Sequence, residues 1–325
     1  MFIDDFLLQQ CIFIRKYQHI NKVKINCTSN KYAVIVEPRK HELLEAVCRN
    51  IMYYLPKDWN LVVISHDYDY VCEKLKDMEY IYIPLAINNL TPQLYSSLFM
   101  TEKFWNAIPG DHILIFQTDS YICRHMTNDY LDSIFKYPYI GGIYQFHRFK
   151  DEEIIKIHKE NNLEMPDLIN DRPFHGGNIA NEYSVDNPEN ELGNTINFNF
   201  SINGGFSYRY KPAMLDCIKN VNRDRIIQER EKKGLNNEYF KSIDVLGEDL
   251  FFHNALDILG YELPDMDTCL EFCTNLPYKN QWILNSYSVH GYNKYFTNQI
   301  RTWLIRPSIQ TLVEEIKEEF SKNEK

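Results

Sequence analysis

The sequence lacks most of the short motifs that mark nucleotide-binding and hydrolytic proteins. No Gly-x-Gly-x-x-Gly follows the first apolar run, and no Gly-x-x-x-x-Gly-Lys-Ser/Thr occurs. Dinucleotide-binding and P-loop folds therefore lose their main support. Gly-x-Ser-x-Gly, His-Glu-x-x-His and zinc-type Cys/His clusters are also absent, which argues against the matching hydrolases and zinc sites.

The sequence has fewer basic than acidic residues. Lysine and arginine number 35 against 45 aspartate and glutamate residues, which gives a formal net charge of −10. A protein that binds nucleic-acid backbones carries a basic face, so no nucleic-acid partner is expected. An acidic balance of this size otherwise reflects solubility and identifies no partner.

Long apolar runs and regular cysteine spacing are missing too. No window of 18 apolar residues exists, so no membrane span is expected. The first residues contain no basic segment and no small-residue cleavage site, so no signal peptide is expected. The 8 cysteines form no Cys-x-x-Cys pair, which favours buried free thiols over a disulfide framework. The expected location is the cytoplasm.

The chain does have enough apolar sequence for one large α/β domain. Hydrophobic residues make up 44% of its 325 residues. Short continuous apolar runs predict strands that are buried on both faces. They alternate with stretches of helical spacing, which predicts a Rossmann-type, mostly parallel sheet flanked by helices. The predicted strands are Tyr32–Val36, Leu61–Ile64, Tyr80–Ile83 and His112–Phe116.

The expected organisation is a single main domain with a helical piece at each end. We predict a helical extension over residues 1–30, the main domain over 31–300, and an amphipathic C-terminal helix over 301–325. No internal repeat and no proline-rich linker divides the middle. Residues 175–200 are weakly periodic and polar, which is typical of a long functional loop.

Polar residues follow the ends of several predicted strands. Glu37 and Arg39 follow the first strand, His66 follows the second, and Asp119 follows the fourth. Ligands of parallel sheets bind outside the carboxyl ends of the strands. If these strands are neighbours, the four residues lie near one crevice.

Asp119 is the candidate metal ligand. A carboxylate at the tip of a hydrophobic strand is costly unless it meets a cation or hydrogen-bond donors. Mn²⁺ or Mg²⁺ prefers oxygen ligands and can share its remaining sites with phosphate oxygens. Capping of a following helix is the common alternative for such an Asp. His290 can complete a metal site begun by a carboxylate, although a single His is more often structural.

Two further segments could take part in chemistry. Gly204 and Gly205 permit positive φ and a close approach of the backbone to a ligand, and the amide of Asn203 suits hydroxyl groups; a tight turn is the alternative. Glu248 and Asp249 stand at a predicted helix start, where the helix dipole favours acids without any function. Either acid could also be a general base that removes a proton from an attacking hydroxyl.

Taken in order, these segments resemble a known family. The matching segments are Val34–Arg39, Tyr54–Trp59, Asn89–Thr91, Phe104–Trp105, Ile113–Ser120, Tyr139–Gly142, Asn203–Ser207 and Glu248–Asp249. The family is known as a domain of unknown function, with an expected GT-A fold and galactosyltransferase-like motifs. The resemblance covers roughly residues 31 to 296.

The resemblance implies a metal-dependent glycosyltransferase. Such an enzyme moves a sugar from a nucleotide-sugar, in the first place a UDP-sugar, to a hydroxyl of a glycan or protein acceptor. Gln117–Asp119 stands where GT-A enzymes carry Asp-x-Asp, and Gln117 replaces the first acid. Asp119 and His290 would then hold Mn²⁺ or Mg²⁺. The residues expected near the nucleotide are Glu37, Arg39, His66, Gln117 and Thr118.

On the acceptor side, the resemblance implies an inverting reaction. Asp249 would be the base, and Glu248 would hold a hydroxyl of the donor or the acceptor. The acceptor and sugar would lie against Asn203, Gly204 and Gly205.

Two other functions stay open. A sugar nucleotidyltransferase uses a similar sheet, but it usually carries a glycine-rich basic loop after the first strand. Here that place holds Glu37-Pro38-Arg39-Lys40, without glycine. A non-catalytic nucleotide- or sugar-binding module of the same fold would explain the missing acid at Gln117.

Overall fold

The computed structural model describes residues 24–144, 159, 201–234, 237–274 and 286–291. The predicted helical extension falls almost wholly outside these residues. The predicted loop over 175–200 and the predicted helix over 301–325 also lie outside them.

The described residues form a six-stranded sheet in the order β3-β2-β1-β4-β7-β6. Its strands are β1 (Lys31–Val36), β2 (Asn60–Ser65), β3 (Ile81–Pro84), β4 (His112–Phe116), β6 (Tyr139–Tyr144) and β7 (Ser201–Tyr210). β3, β2, β1 and β4 pair in parallel, whereas β7 is antiparallel to both β4 and β6. The mostly parallel sheet that the sequence predicts is therefore confirmed, and each of the four predicted strands forms within a residue or two of its predicted bounds.

A second, three-stranded sheet lies beyond the end of β4. It consists of β5 (Ser120–Ile122), β9 (Ser288–His290) and β8 (Cys273–Thr274), with β9 in the middle. β9 is antiparallel to β5 and parallel to β8. This sheet places residue 290 directly beside residue 120.

Helices flank the main sheet, as the alternating pattern predicts. They are α1 (Leu44–Tyr54), α2 (Tyr68–Lys74), α3 (Pro92–Phe99), α4 (Glu102–Ala107), α5 (Asn128–Ile134), α6 (Lys211–Asn220), α7 (Arg223–Lys232), α8 (Glu238–Ser242), α9 (Glu248–Leu259) and α10 (Met266–Phe272). No helix in the described part of the chain is both long and apolar enough to cross a membrane.

Local sequence explains where several helices begin. The side chain of Thr91 accepts a hydrogen bond from the N–H of Leu94, and Pro92 occupies the first turn of α3. A threonine cap satisfies one of the free N–H groups of a helix, and proline there gives up no hydrogen bond. Thr101 and Thr127 cap α4 and α5 in the same way.

The core lies on both faces of the main sheet. Every residue of β2 is buried, and so is β1 beyond its first residue. Trp105 of α4 is fully buried, and its indole N–H donates to the carbonyl of Phe99 over 2.7 Å. This bond satisfies an indole N–H that cannot reach water. The core thus holds α3 and α4 together.

The segment around Gly204 and Gly205 forms part of a strand, whereas the sequence offered a tight turn as the alternative. Asn203–Ser207 lie inside a ten-residue strand, and neither Gly204 nor Gly205 has a positive φ. The tight turn is therefore wrong. Residues 203–206 bulge out opposite the single residue Gly142 of β6. A bulge redirects side chains at a sheet and is common beside functional sites.

Candidate active site

The order of the strands creates a crevice at one place in the main sheet. The chain runs from β1 to β2 and β3 on one side, and β4 then pairs with β1 on the other side. Ligands of open α/β sheets bind at such a switch point, outside the carboxyl ends of the strands. Ile35 pairs with Phe116, so the residues that follow β1 and β4 border the same crevice.

The turn after β4 is fixed in position by Ser120. The Ser120 N–H donates to the carbonyl of Gln117, and the Gln117 N–H donates to the Ser120 hydroxyl, each over 3.0 Å. That hydroxyl donates in turn to the carbonyl of Gly205 over 3.2 Å. Thr118 and Asp119 therefore sit on a tight, buried turn that is bonded to β7.

Asp119 and His290 meet at this turn. His290 Nε2 lies 3.3 Å from Asp119 Oδ1 and 3.2 Å from Gln117 Oε1. The pairing of Ser120 with His290 brings them together, and the Gly291 N–H donates to the carbonyl of Asp119 over 3.0 Å. Asp119 begins no helix, since β5 follows it directly, so the helix-cap alternative is wrong.

Gly205 makes room for the imidazole of His290. A Cβ atom on Gly205 would come into hard contact with three atoms of the His290 ring. Because the backbone of Gly205 is extended, turn geometry does not require glycine here. The close approach of His290 does require it.

Glu37 and Arg39 form the opposite side of the crevice. Arg39 Nε and Nη2 each lie 2.7 Å from a carboxylate oxygen of Glu37, in a bidentate pair. The Glu37 side chain is 5% exposed, whereas that of Arg39 is 55% exposed. The bond to Glu37 raises the pKa of Arg39, and the charge of Asp119 adds to the rise. The guanidinium is thus held in place and still accessible to an anion.

Glu248 occupies a buried position at the start of α9. Its Oε1 lies 3.0 Å from Arg209 Nη2, and its Oε2 accepts from the hydroxyl of Ser96 over 3.3 Å. Burial opposes the charge of Arg209, but the neighbouring Tyr139 and Glu248 outweigh it and raise the pKa of Arg209. Losing one partner of such a buried pair costs about 3–5 kcal/mol, because the other charge is left uncompensated.

Asp249 is the second residue of α9. It is buried, and its Oδ1 accepts from the N–H of Leu250 over 2.8 Å. The positive end of a helix dipole stabilises an ionised carboxylate at this position. Asn203 is also engaged locally, since its Oδ1 accepts from the N–H of Gly205 over 2.8 Å.

His66 lies apart from the Asp119–His290 pair. Its Nδ1 is 3.1 Å from the carbonyl oxygen of Leu85, at the ends of β2 and β3. Two strand spacings, roughly 10 Å, separate β2 from β4 in a sheet. His66 therefore borders the outer side of the crevice.

Sequence reasoning missed two residues that face this region. Arg209 interrupts the apolar strand Phe206–Tyr210, a charge that signals a buried partner. Tyr95 is partly buried on α3, and its hydroxyl oxygen is shielded from solvent. Burial raises the pKa of Tyr95, and the charge of Glu248 raises it further. The helical pattern around Tyr95 gave no indication that its hydroxyl is buried.

Within the described residues, no three His, Cys, Asp or Glu side chains form a metal-binding group. The available donors are the carboxylate of Asp119, the imidazole of His290 and the amide oxygen of Gln117. These oxygen and imidazole donors suit Mn²⁺, provided that a ligand supplies the remaining positions.

The fold and the crevice define an α/β protein with a polar site at a sheet switch point. The model of the family described as protein of unknown function (DUF5672) matches residues 77–290. The chain belongs to this family. No curated protein matches it.

The solved structures that are similar to this chain have low sequence identity to it. Mouse xyloside xylosyltransferase 1 in its apo form is 11% identical, with 81% of this chain and 99% of that chain covered and a TM-score of 0.45. The mannosyltransferase Ktr4p from S. cerevisiae is 11% identical, with 77% and 75% covered and a TM-score of 0.37. Core-mannan synthase A from Aspergillus fumigatus, in an Mn/GDP form, is 10% identical, with 88% and 86% covered and a TM-score of 0.42.

Proposed function

We propose that this protein is a GT-A-type glycosyltransferase that uses a divalent cation and a nucleotide-sugar. One observation carries the proposal. Asp119, His290 and Gln117 converge within 3.3 Å at the switch point, opposite the exposed guanidinium of Arg39. This pairs a hard-cation donor set with an anion-binding group across one crevice, which suits a diphosphate.

Donor binding in this proposal rests on both sides of the crevice. Asp119 and His290 would hold Mn²⁺ or Mg²⁺, and the bound cation would neutralise charge on a leaving diphosphate. Arg39, fixed by Glu37 in a bidentate pair, would bind phosphate oxygens. Because Gln117 is neutral, the site has one carboxylate, so we expect the cation to bind weakly until the nucleotide is present.

The acceptor side of the proposal uses the start of α9. The acceptor oxygen would attack the anomeric carbon as the bond from that carbon to the diphosphate breaks. The hydroxyl proton would pass to the carboxylate of Asp249, and the nucleoside diphosphate would leave as the anion. A single displacement of this kind inverts the anomeric configuration. The N–H of Leu250 holds the carboxylate, and an ionised carboxylate at this position would accept the proton.

The substrates form the finer part of the proposal. A UDP-linked hexose or N-acetylhexosamine is the first donor to test, and the acceptor is a hydroxyl of a glycan or protein. Gly204 lies against Glu248 and Gly205 lies against His290, and we propose that the sugar binds beside Asn203, Gly204 and Gly205.

The first experiment measures nucleotide affinity by isothermal titration calorimetry. UDP and GDP are titrated with and without Mn²⁺. We expect Mn²⁺ to tighten binding of the preferred nucleotide by at least about 10-fold, since a cation held by Asp119 and His290 would attract the phosphate oxygens. Asp119→Asn should remove this gain. Asp224→Asn, an exposed acid in the first turn of α7, is the control and should behave like the wild type.

Two results would contradict the proposal. The site assignment fails if UDP and GDP both fail to bind in the presence of Mn²⁺. It also fails if Asp119→Asn retains the full gain in affinity from Mn²⁺. Tight Mn²⁺-dependent binding without any transfer or donor hydrolysis would instead favour the non-catalytic module. Release of pyrophosphate from a nucleoside triphosphate and a sugar phosphate would favour the nucleotidyltransferase.

A further inference from the structure

A buried ion pair includes Glu248, the residue next to the proposed base. The Arg209 side chain is 0% exposed and that of Glu248 is 8% exposed. Arg209 Nε donates to the Ser207 hydroxyl over 3.0 Å, and Nη2 donates to the carbonyl of Gly204 over 3.3 Å as well as to Glu248. A charge buried this deeply persists only with such close partners.

Aromatic rings surround the rest of the guanidinium. Its central carbon lies 5.0 Å from the ring centre of Tyr139, 5.1 Å from Phe99 and 5.5 Å from Phe252. The rings exclude water and favour a cation electrostatically. The pair therefore joins β7, which carries Arg209, to α3 and α9 through contacts that water does not weaken.

The carboxylate of Glu248 is occupied by these contacts. Arg209 holds one oxygen and Ser96 approaches the other. Gly204 is needed for this arrangement, since a Cβ there would collide with Glu248 Oε1 and Arg209 Nη2. Because Gly204 has no positive φ, the space required by the ion pair explains the glycine.

We infer that the Arg209–Glu248 pair anchors the first turn of α9 and so sets the position of Asp249. Both are positioning residues in this view, and Glu248 does not hold a sugar hydroxyl. The inference rests on the proposed function only where Asp249 acts as the base. The anchoring itself is a property of the fold and can be measured without turnover.

The test combines hydrogen exchange with kinetics on three variants. Glu248→Gln keeps the shape and loses the charge, and Arg209→Lys keeps the charge and loses the fork of donors. The double variant Arg209→Met/Glu248→Leu replaces the pair with apolar side chains, an exchange that often preserves folding. Asp257→Asn is the matched control, because it breaks the pair with Lys233 near the other end of α9.

In all three variants we expect hydrogen exchange at the amides of Leu250, Phe251 and Phe252 to be about 10-fold faster than in the wild type. In the control the exchange rates of these amides should not change. We also expect kcat to fall by about 100-fold while the KM for the donor changes little, since a misplaced base affects the reaction rather than binding. Unchanged exchange at these amides in the double variant would overturn the anchor. A rise in the donor KM alone would show that Glu248 touches the sugar, and would also overturn it.

The two proposals fail in different ways. If the wild-type protein transfers no sugar, the proposed function fails, and the exchange measurement alone decides whether the anchor exists. If the wild type transfers sugar and the double variant keeps full kcat, the anchor fails and the transferase assignment stands.

Discussion

At the scale of single residues, two adjacent glycines of β7 each make room for a different buried side chain. Gly204 faces the carboxylate of Glu248, and Gly205 faces the ring of His290. The sequence indicated a close approach at this pair, although towards a ligand. It could not show that the approaching groups are side chains of the protein, because they lie far away along the chain.

Gly205→Ala tests this explanation. The added methyl group would displace the His290 imidazole from Asp119. We expect the gain in nucleotide affinity from Mn²⁺ to fall by at least about 10-fold, together with a loss of about 1–3 kcal/mol in unfolding free energy from overpacking. Calorimetry and urea unfolding measure the two effects.

Gly234→Ala serves as the matched glycine control. Its Cβ would meet no atom within 4 Å, and its φ of +71° makes alanine strained. It should lose about 1 kcal/mol of stability and keep the full effect of Mn²⁺. Equal binding losses in both variants would show that the effect of Gly205→Ala is general destabilisation.

At the scale of elements, the long strands and the small sheet differ in how well sequence predicts them. β1, β2 and β4 are continuous apolar runs, so pattern alone located them. β8 and β9 have only 2 and 3 residues, too few to show any periodicity. Their pairing depends on contacts between distant segments, which a single sequence does not reveal.

A stack of side chains holds β9 in place. The Tyr130 and Tyr287 rings lie 3.7 Å apart, and the guanidinium carbon of Arg124 lies 3.7 Å from the centre of the Tyr287 ring. We predict that Tyr287→Leu lowers the unfolding free energy by about 1–2 kcal/mol and speeds hydrogen exchange at Val289 and His290. Urea unfolding and exchange mass spectrometry measure these changes.

Tyr137→Leu provides a comparison for the stack. Tyr137 is buried and has its own cation contact, with Lys136. It should lose similar stability without faster exchange in β9. The stack has no special role in holding β9 if both variants loosen that strand equally.

At the scale of the whole molecule, the order of the strands determined how many predicted site residues came together. Neighbouring strands β1 and β4 brought Glu37 and Arg39 opposite Asp119, as parallel topology requires. His66 lies on the outer side, because β2 is separated from β4 by β1. Strand order is not encoded in the local pattern of residues. The amino-acid sequence therefore indicated that the site lies at the carboxyl ends of the strands, but not the order of the strands in the sheet.

Stability of the whole fold should depend on pH through His112, at the opposite end of β4. Burial lowers the pKa of His112, and the charge of Lys31 lowers it further, although Asp111 and Asp132 oppose this. The unfolded chain therefore binds this proton more readily than the folded one. Its contribution is fully present above about pH 6.5 and is lost as the pH falls towards the lower folded pKa.

Urea unfolding between pH 5 and 7.5 checks this sign. We expect wild-type stability to fall on acidification, and the slope to be smaller in His112→Asn. That variant should be less stable at pH 7.5, since Nδ1 lies 2.8 Å from the hydroxyl of Tyr208. An unchanged slope would show that other groups dominate the acid response.

The partnership of residues 119 and 290 has a kinetic consequence. Joining positions this far apart closes a very long loop, an entropic cost that grows with the logarithm of loop length. Contacts of such range tend to form slowly. We therefore expect the parallel sheet to form before residues 119 and 290 meet. During refolding, nucleotide binding should recover later than the fluorescence of the buried tryptophans. Nucleotide binding would then report the step in which residues 119 and 290 come together.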